Sequence, residues 1–294
     1  MKTFKLLTLL IIGLLIFGSA AFFGYELFIK PGRAEKRERD IQASAPAPTA
    51  TPDPGLPEFQ RLKALQNSGK IAEVQAGLAA WVNNNPKSPL LAEARQRLGT
   101  VNMVLLFDPG STNVVTYSVV KGDSLARIAT KHQSNAELIQ KANSLPTINL
   151  QIGEQLVIPT LKVSLEIDRA AKTLTLINNG VFVKEYPLLS APSASKSSTL
   201  NSKVLDKVAN FGNKRLAFGD KAYPQSDRSI LLVQSPAIVA PVQAPTVAVP
   251  QKPQGTNAPT PVVPPPLPGG YVLSATDLLE IFPLISRNTP VTIH

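Results

Sequence analysis

The chain has 294 residues, 27 of them proline and only 17% charged, with a formal net charge of +10. It has no cysteine and two histidines, which excludes disulfides, cysteine-ligated zinc and thiol catalysis; no cofactor and no metal site is expected. The basic residues are scattered among acidic ones without an aromatic-interleaved stripe, so the charge fits mild attraction to anionic surfaces and no nucleic acid partner is expected.

Residues 1–30 read as a membrane anchor or signal. Leu6 to Ile29 is an apolar run of about the ~20 residues that cross a bilayer, preceded by Lys2 and Lys5. Ser19, Ala20 and Ala21 would serve a cleaved signal peptide, but the run continues through Phe22, Phe23 and Tyr25, which favours an uncleaved anchor. Residues 31–57 read as a linker, because Ile41 to Pro57 is too rich in Pro and Ala to pack. At ~3.1 Å per residue this stretch reaches about 50 Å.

Residues 58–108 carry helical periodicity and predict a hairpin. Val74, Leu78, Trp81 and Val82 form one face, Asn83 to Pro86 breaks the helix, and Ser88 with Pro89 restarts it as N-cap and first residue. Leu91, Ala94, Leu98, Val101 and Leu105 form the second face, and Trp81 is expected in the core. The pattern is tetratricopeptide-like, a spacer or partner-binding element.

Residues 115–160 predict a strand at Tyr117 and Val119, a turn at Lys121-Gly122-Asp123, and a helix that Ser124 precedes, with apolar Leu125, Ile128 and Ala129 at helical spacing. Ser134 and Glu137 predict a capping box for a second helix that buries Leu138, Ile139 and Ala142. His132 is expected on the exposed end of the first helix. Leu156 and Ile158 mark a closing strand that Pro159 ends.

Residues 161–294 open as a β-meander from Lys162 to Leu189, with Asn178-Asn179-Gly180 as a hairpin turn. Further strands are predicted within Lys214–Phe218 and Ser229–Val239. Residues 240–268 form a Pro-rich insertion suited only to polyproline II. Ser274 then caps a helix to about Leu284, and Thr289 to Ile293 closes as a strand.

The blocks YSVVKGDSLARIA and NLQIGEQLVIP, in this order and separation, resemble the LysM module. That resemblance implies binding to β-1,4-linked N-acetylglucosamine polymers such as peptidoglycan. The implied groove lies between Gly122, Asp123, Ser124 and Leu125 on one loop and Leu145, Pro146, Thr147 and Ile148 on the other. Lys30, Arg33, Lys36, Arg37 and Arg39 follow the apolar run, and the positive-inside rule alone would hold the rest of the chain in the cytoplasm. A LysM module has no polymer to bind there, so an extracytoplasmic placement in a bacterial envelope is expected, with the inner membrane contacted through residues 6–29.

The blocks IDRAAKTLTLINNGVFVKEYPL and LSATDLLEIFPLISRNTPVTI resemble the YkuD-type L,D-transpeptidase catalytic domain, which works through a cysteine thioacyl intermediate. The family's Ser-His-Gly-Cys-Ile-Arg segment precedes the last helix; aligned on Gly269, Pro268 stands for its histidine, Gly270 for its cysteine and Val272 for its arginine. None of these supplies a base, a nucleophile or a charge. Ser235 and Ser274 would each need a base, and His132 and His294 lie elsewhere in the chain. The implied architecture is multidomain α+β: an N-terminal transmembrane helix, a helical hairpin, a βααβ LysM module and a mainly-β transpeptidase-like domain without catalysis. The alternatives are an active peptidoglycan-remodelling transpeptidase or hydrolase, and an envelope scaffold that recruits a protein partner through the hairpin.

Overall fold

Residues 53–193, 199–241 and 269–294 are described by the computed structural model of the chain. The apolar run Leu6–Ile29, most of the linker, nearly all of the Pro-rich insertion and Pro268 lie outside them. No helix among the described residues is long and apolar enough to cross a membrane.

Three helices open the described chain: α1 (Leu56–Asn67), α2 (Ile71–Asn84) and α3 (Leu91–Leu105). The expected hairpin is therefore a three-helix unit. Its first member was hard to read because only Phe59 and Leu62 are buried along twelve residues. These two pack with Val74, Leu78, Trp81, Ala94, Leu98 and Val101. The Trp81 indole donates to the Gly55 carbonyl at 2.8 Å, so the chain from Asp53 is packed structure rather than linker. Ser88 is not an N-cap: its hydroxyl accepts from Leu90 N at 3.0 Å and donates to Asp53, closing a turn, and α3 starts three residues later.

The second unit is β1 (Val114–Ser118), α4 (Leu125–Lys131), α5 (Ala136–Ala142) and β2 (Gln155–Pro159), with β1 and β2 antiparallel. Val119, Leu125, Ile128, Ala129, Ile139, Leu156 and Ile158 form its core. Ser124 caps α4. The expected capping box does not form, because Asn135 caps α5, its side chain accepting from Leu138 N at 2.7 Å. Glu137 instead reaches two cations of the following domain, and a pair of buried charge-assisted bonds outweighs one local cap. His132 is half-buried rather than exposed, edge-on to Tyr117 with ring centroids 5.2 Å apart.

The remaining described residues form a nine-stranded sheet: β3 (Val163–Asp168), β4 (Thr173–Asn178), β5 (Val181–Pro187), β6 (Leu200–Phe211), β7 (Lys214–Arg215), β8 (Asp227–Leu232), β9 (Ser235–Val239), β10 (Tyr271–Val272) and β11 (Pro290–Ile293). The order is β10-β9-β8-β6-β11-β3-β4-β5, with β7 paired to β6. A short helix, α6 (Ala275–Ile281), is capped by Ser274 and runs into a 3-10 turn, Phe282–Leu284. The β3-β4-β5 meander matches the sequence reading, whereas the longest strand, β6, was missed. It pairs with β11 over Leu200–Lys203 and with β8 over Val204–Asn210, and a bulge between Val204 and Asp206 destroys the alternation that would have revealed it. The stretch Lys214–Phe218 contributes only a two-residue strand.

Both helical units are docked on this sheet. Asn102 of α3 donates to the Phe182 and Val183 carbonyls of β5, covering the edge of the sheet, and Gly99 lies so close that a Cβ there would meet Lys184 Cα at 3.1 Å. Leu138 of α5 belongs to the core of the β-domain. Asn135 donates to the Pro283 carbonyl at 2.7 Å and Lys141 to the Glu280 carbonyl at 3.0 Å.

Candidate functional site

The predicted glycan loops divide into structural and available residues. Gly122 has φ +89°, a conformation that favours glycine, and its carbonyl accepts from Arg127 at 2.6 Å. Asp123 accepts from Val120 N and from the Tyr117 hydroxyl, both at 2.9 Å, and these bonds hold its carboxyl below the ordinary range, the backbone donor first. Ser124 is the α4 cap. Leu125 is 3% exposed and packed in the core, so it offers no side chain to a ligand. In the second loop Leu145 is half-buried and Pro146, Thr147 and Ile148 are exposed. Ile148 packs over Gly219 of the β-domain, where a Cβ would come within 3.0 Å of its Cδ1.

That contact leads into a feature the sequence did not reveal. Phe218, beside Gly219, packs on the βααβ core and also lines a cleft of about 630 Å³ between α5 and the β-domain. Behind it, Glu137 accepts from Arg228 at 2.8 Å and Lys207 at 3.2 Å, with side-chain exposures of 14%, 7% and 18% respectively. The Arg228 guanidinium stacks 3.9 Å from the Tyr223 ring centroid, and the Lys207 ammonium lies 4.4 Å from that of Phe282. Burial lowers the Lys207 pKa against the raising effect of Glu137; burial, then Glu137, raises that of Tyr223. Lys207 and Arg228 lie 70 and 91 residues from Glu137 in sequence, so no local pattern could have joined them.

Of the positions aligned with the transpeptidase motif, Gly270 and Val272 lie among the described residues and have structural roles. Gly270 has φ +120°, and a Cβ there would meet the Ala237 carbonyl oxygen at 2.5 Å. Val272 is wholly buried in β10; its N–H donates to Ser190 O at 2.8 Å and its carbonyl accepts from Leu189 N at 2.7 Å. Ser274 is committed to capping α6, accepting from Asp277 N at 3.0 Å and donating to Asp277 Oδ2 at 2.7 Å. Ser235 Oγ has the Tyr271 hydroxyl at 3.4 Å as its neighbour, and His294 sits beside Thr199 at 3.4 Å.

Comparison with known proteins agrees with the βααβ unit. Residues 117–159 match the family described as "LysM domain". The chain is 28% identical over 105 residues, 34% of its length, to "Putative L,D-transpeptidase YkuD" of Bacillus subtilis (strain 168), and covers 64% of that relative. Among solved structures, an L,D-transpeptidase from Mycobacterium smegmatis aligns at 13% identity and TM-score 0.27, over 49% of this chain and 64% of that one. An L,D-transpeptidase from Mycobacterium tuberculosis H37Rv aligns at 12% identity and TM-score 0.28, over 62% and 89%. The chain therefore matches the LysM domain at residues 117–159 and, over about a third of its length, is similar to an L,D-transpeptidase of which it covers less than two thirds.

Proposed function

We propose that this chain is a peptidoglycan-binding protein of the bacterial envelope, held at the inner membrane by residues 6–29, whose LysM domain grips N-acetylglucosamine-containing glycan. The observation that carries the reading is the LysM match over residues 117–159, on a unit folded as βααβ. Thr147, Pro146 and the backbone at Gly122 supply the exposed polar and small apolar contacts that an N-acetyl group requires. Tethering a weak sugar site to a membrane raises its effective concentration at the wall.

The transpeptidase-like part acts in this reading as a non-catalytic platform. Gly270 leaves no room for a side chain, and Val272 faces the core rather than a site. The test is co-sedimentation of the chain with purified sacculi, in competition with tetra-N-acetylchitotetraose, followed by muropeptide analysis. Binding that the oligosaccharide displaces, and that Thr147→Trp weakens, supports the reading. A chain that stays in the supernatant overturns glycan binding, and new crosslinks or cleavage products overturn the non-catalytic role.

A further inference from the structure

The cleft between LysM and the β-domain carries more positive charge than its own carboxylate can balance. Among the described residues, Lys207, Arg215 and Arg287 line it against a single acid, Glu137. Glu137 is already neutralised by Lys207 and by Arg228 behind it. Asp206, outside the lining, takes one terminal nitrogen of Arg215 at 2.9 Å, and Arg287 Nε donates to the Leu205 carbonyl at 2.9 Å. Among the described residues this leaves Nε and Nη1 of Arg215 and both terminal nitrogens of Arg287 as open donors, suited to a carboxylate.

The same cleft has an apolar side. Phe218 and Tyr223 line it with rings edge-on, centroids 5.6 Å apart, and Phe282 and Ile285 continue the wall. A volume of about 630 Å³ lies within the usual range for a small-molecule site. Phe218 also packs against the LysM core, and the adjacent Gly219 meets Ile148 of the predicted glycan loop, so the cleft is next to the place where that reading puts the sugar chain.

We propose that this cleft is a second saccharide subsite that takes an acidic sugar, an N-acetylated pyranose bearing a free carboxylate, as in muramic acid stripped of its peptide. The ring lies against the aromatic wall and the carboxylate meets Arg215 and Arg287. The proposal rests on the wall-binding reading of the LysM domain and extends it from neutral to carboxylate-bearing units of the glycan.

The test titrates the full chain calorimetrically, at low ionic strength, with N-acetylmuramic acid, N-acetylglucosamine and L-lactate, and separately with tetra-N-acetylchitotetraose. The expected result is binding of N-acetylmuramic acid, weakened at least ~10-fold in R215A/R287A through loss of charge-assisted bonds. Ala217→Trp, which fills the cleft without altering charge, is expected to weaken it similarly, while both variants keep the chitotetraose affinity. Unchanged N-acetylmuramic acid affinity in R215A/R287A would overturn the subsite. So would lactate binding as tightly as the acid sugar, the mark of an unspecific anion site, or N-acetylglucosamine binding as tightly, the mark of a site blind to the carboxylate. Loss of chitotetraose binding with the acid sugar retained would instead sink the LysM reading while the cleft stands.

Discussion

Replacing Glu137 by alanine removes the only carboxylate joined to Arg228 and Lys207 among the described residues; their side chains are 7% and 18% exposed. Truncating one partner of a buried charge pair costs about 3–5 kcal/mol, because the remaining charge stays desolvated. Here two cations are stranded, but Arg228 keeps its bond to the Tyr223 carbonyl at 2.8 Å, and Lys207 keeps its position over Phe282. Those contacts, with the ease of discharging a lysine whose pKa is already lowered, put the expected loss at the lower end, about 3 kcal/mol. In a chain of this size that lowers Tm by roughly 6–12 °C at ~2–4 °C per kcal/mol. The assay is urea unfolding followed by Trp81 fluorescence and by amide signals of α5, two probes that report whether the LysM domain leaves the sheet before the rest unfolds. In the double variant E137A/K207M one stranded cation is gone, so the loss is expected to fall short of the sum of the single losses by at least ~1 kcal/mol. A loss under ~1 kcal/mol for E137A, or strict additivity in the cycle, would refute the view that this cluster holds the LysM domain to the β-domain.

Other consequences concern pH, the turn before α4 and Gly270. Burial lowers the folded-state pKa of Lys207 and of Lys141, so between those values and the unfolded lysine pKa of ~10.4 the unfolded chain binds more protons and stability rises with pH. K207M should flatten that rise, and an unchanged profile of unfolding free energy from pH 8 to 10 would contradict the burial argument. Asp123 titrates below the ordinary carboxylate because Val120 N–H and the Tyr117 hydroxyl donate to it, so its contribution is present above the unfolded pKa and lost as pH falls through the folded one. Tyr117→Phe should raise its NMR titration midpoint without restoring the free value, and no change would show the hydroxyl to be irrelevant. Gly270→Cys puts a Cβ 2.5 Å from the Ala237 carbonyl oxygen at φ +120°, so it should cost about 1–3 kcal/mol and yield no transpeptidase activity; crosslinked muropeptides from this variant would overturn the reading of Gly270 as a structural position.

Local patterns carried the parts of this fold whose stability is local. Ser274 was readable as a cap because the bond it makes spans three residues. The β3-β4-β5 meander was readable because Asn179-Gly180 sits at a turn with both residues at positive φ, between strands that alternate. Ser134 was misread for the complementary reason: the acid that would complete its capping box is claimed by cations far away in sequence. The strand β6 escaped because its bulge shifts the burial pattern halfway along, and Leu205 and Phe211 remain exposed.

What the sequence determined by itself was the LysM domain, whose turn, caps and buried positions all lie within 43 consecutive residues, and the absence of cysteine, which follows from composition alone. Only the tertiary structure decided that Leu125 is core rather than ligand contact and that Gly270 has no space for a side chain. It also decided that α5 is fixed to the sheet through Glu137, with a cationic, aromatic-walled cleft beside it. The physical reason is the range of the interactions. A cap or a tight turn is set by neighbours in the chain, whereas burial, steric room and the pairing of a charge depend on atoms that only folding brings within a few ångströms.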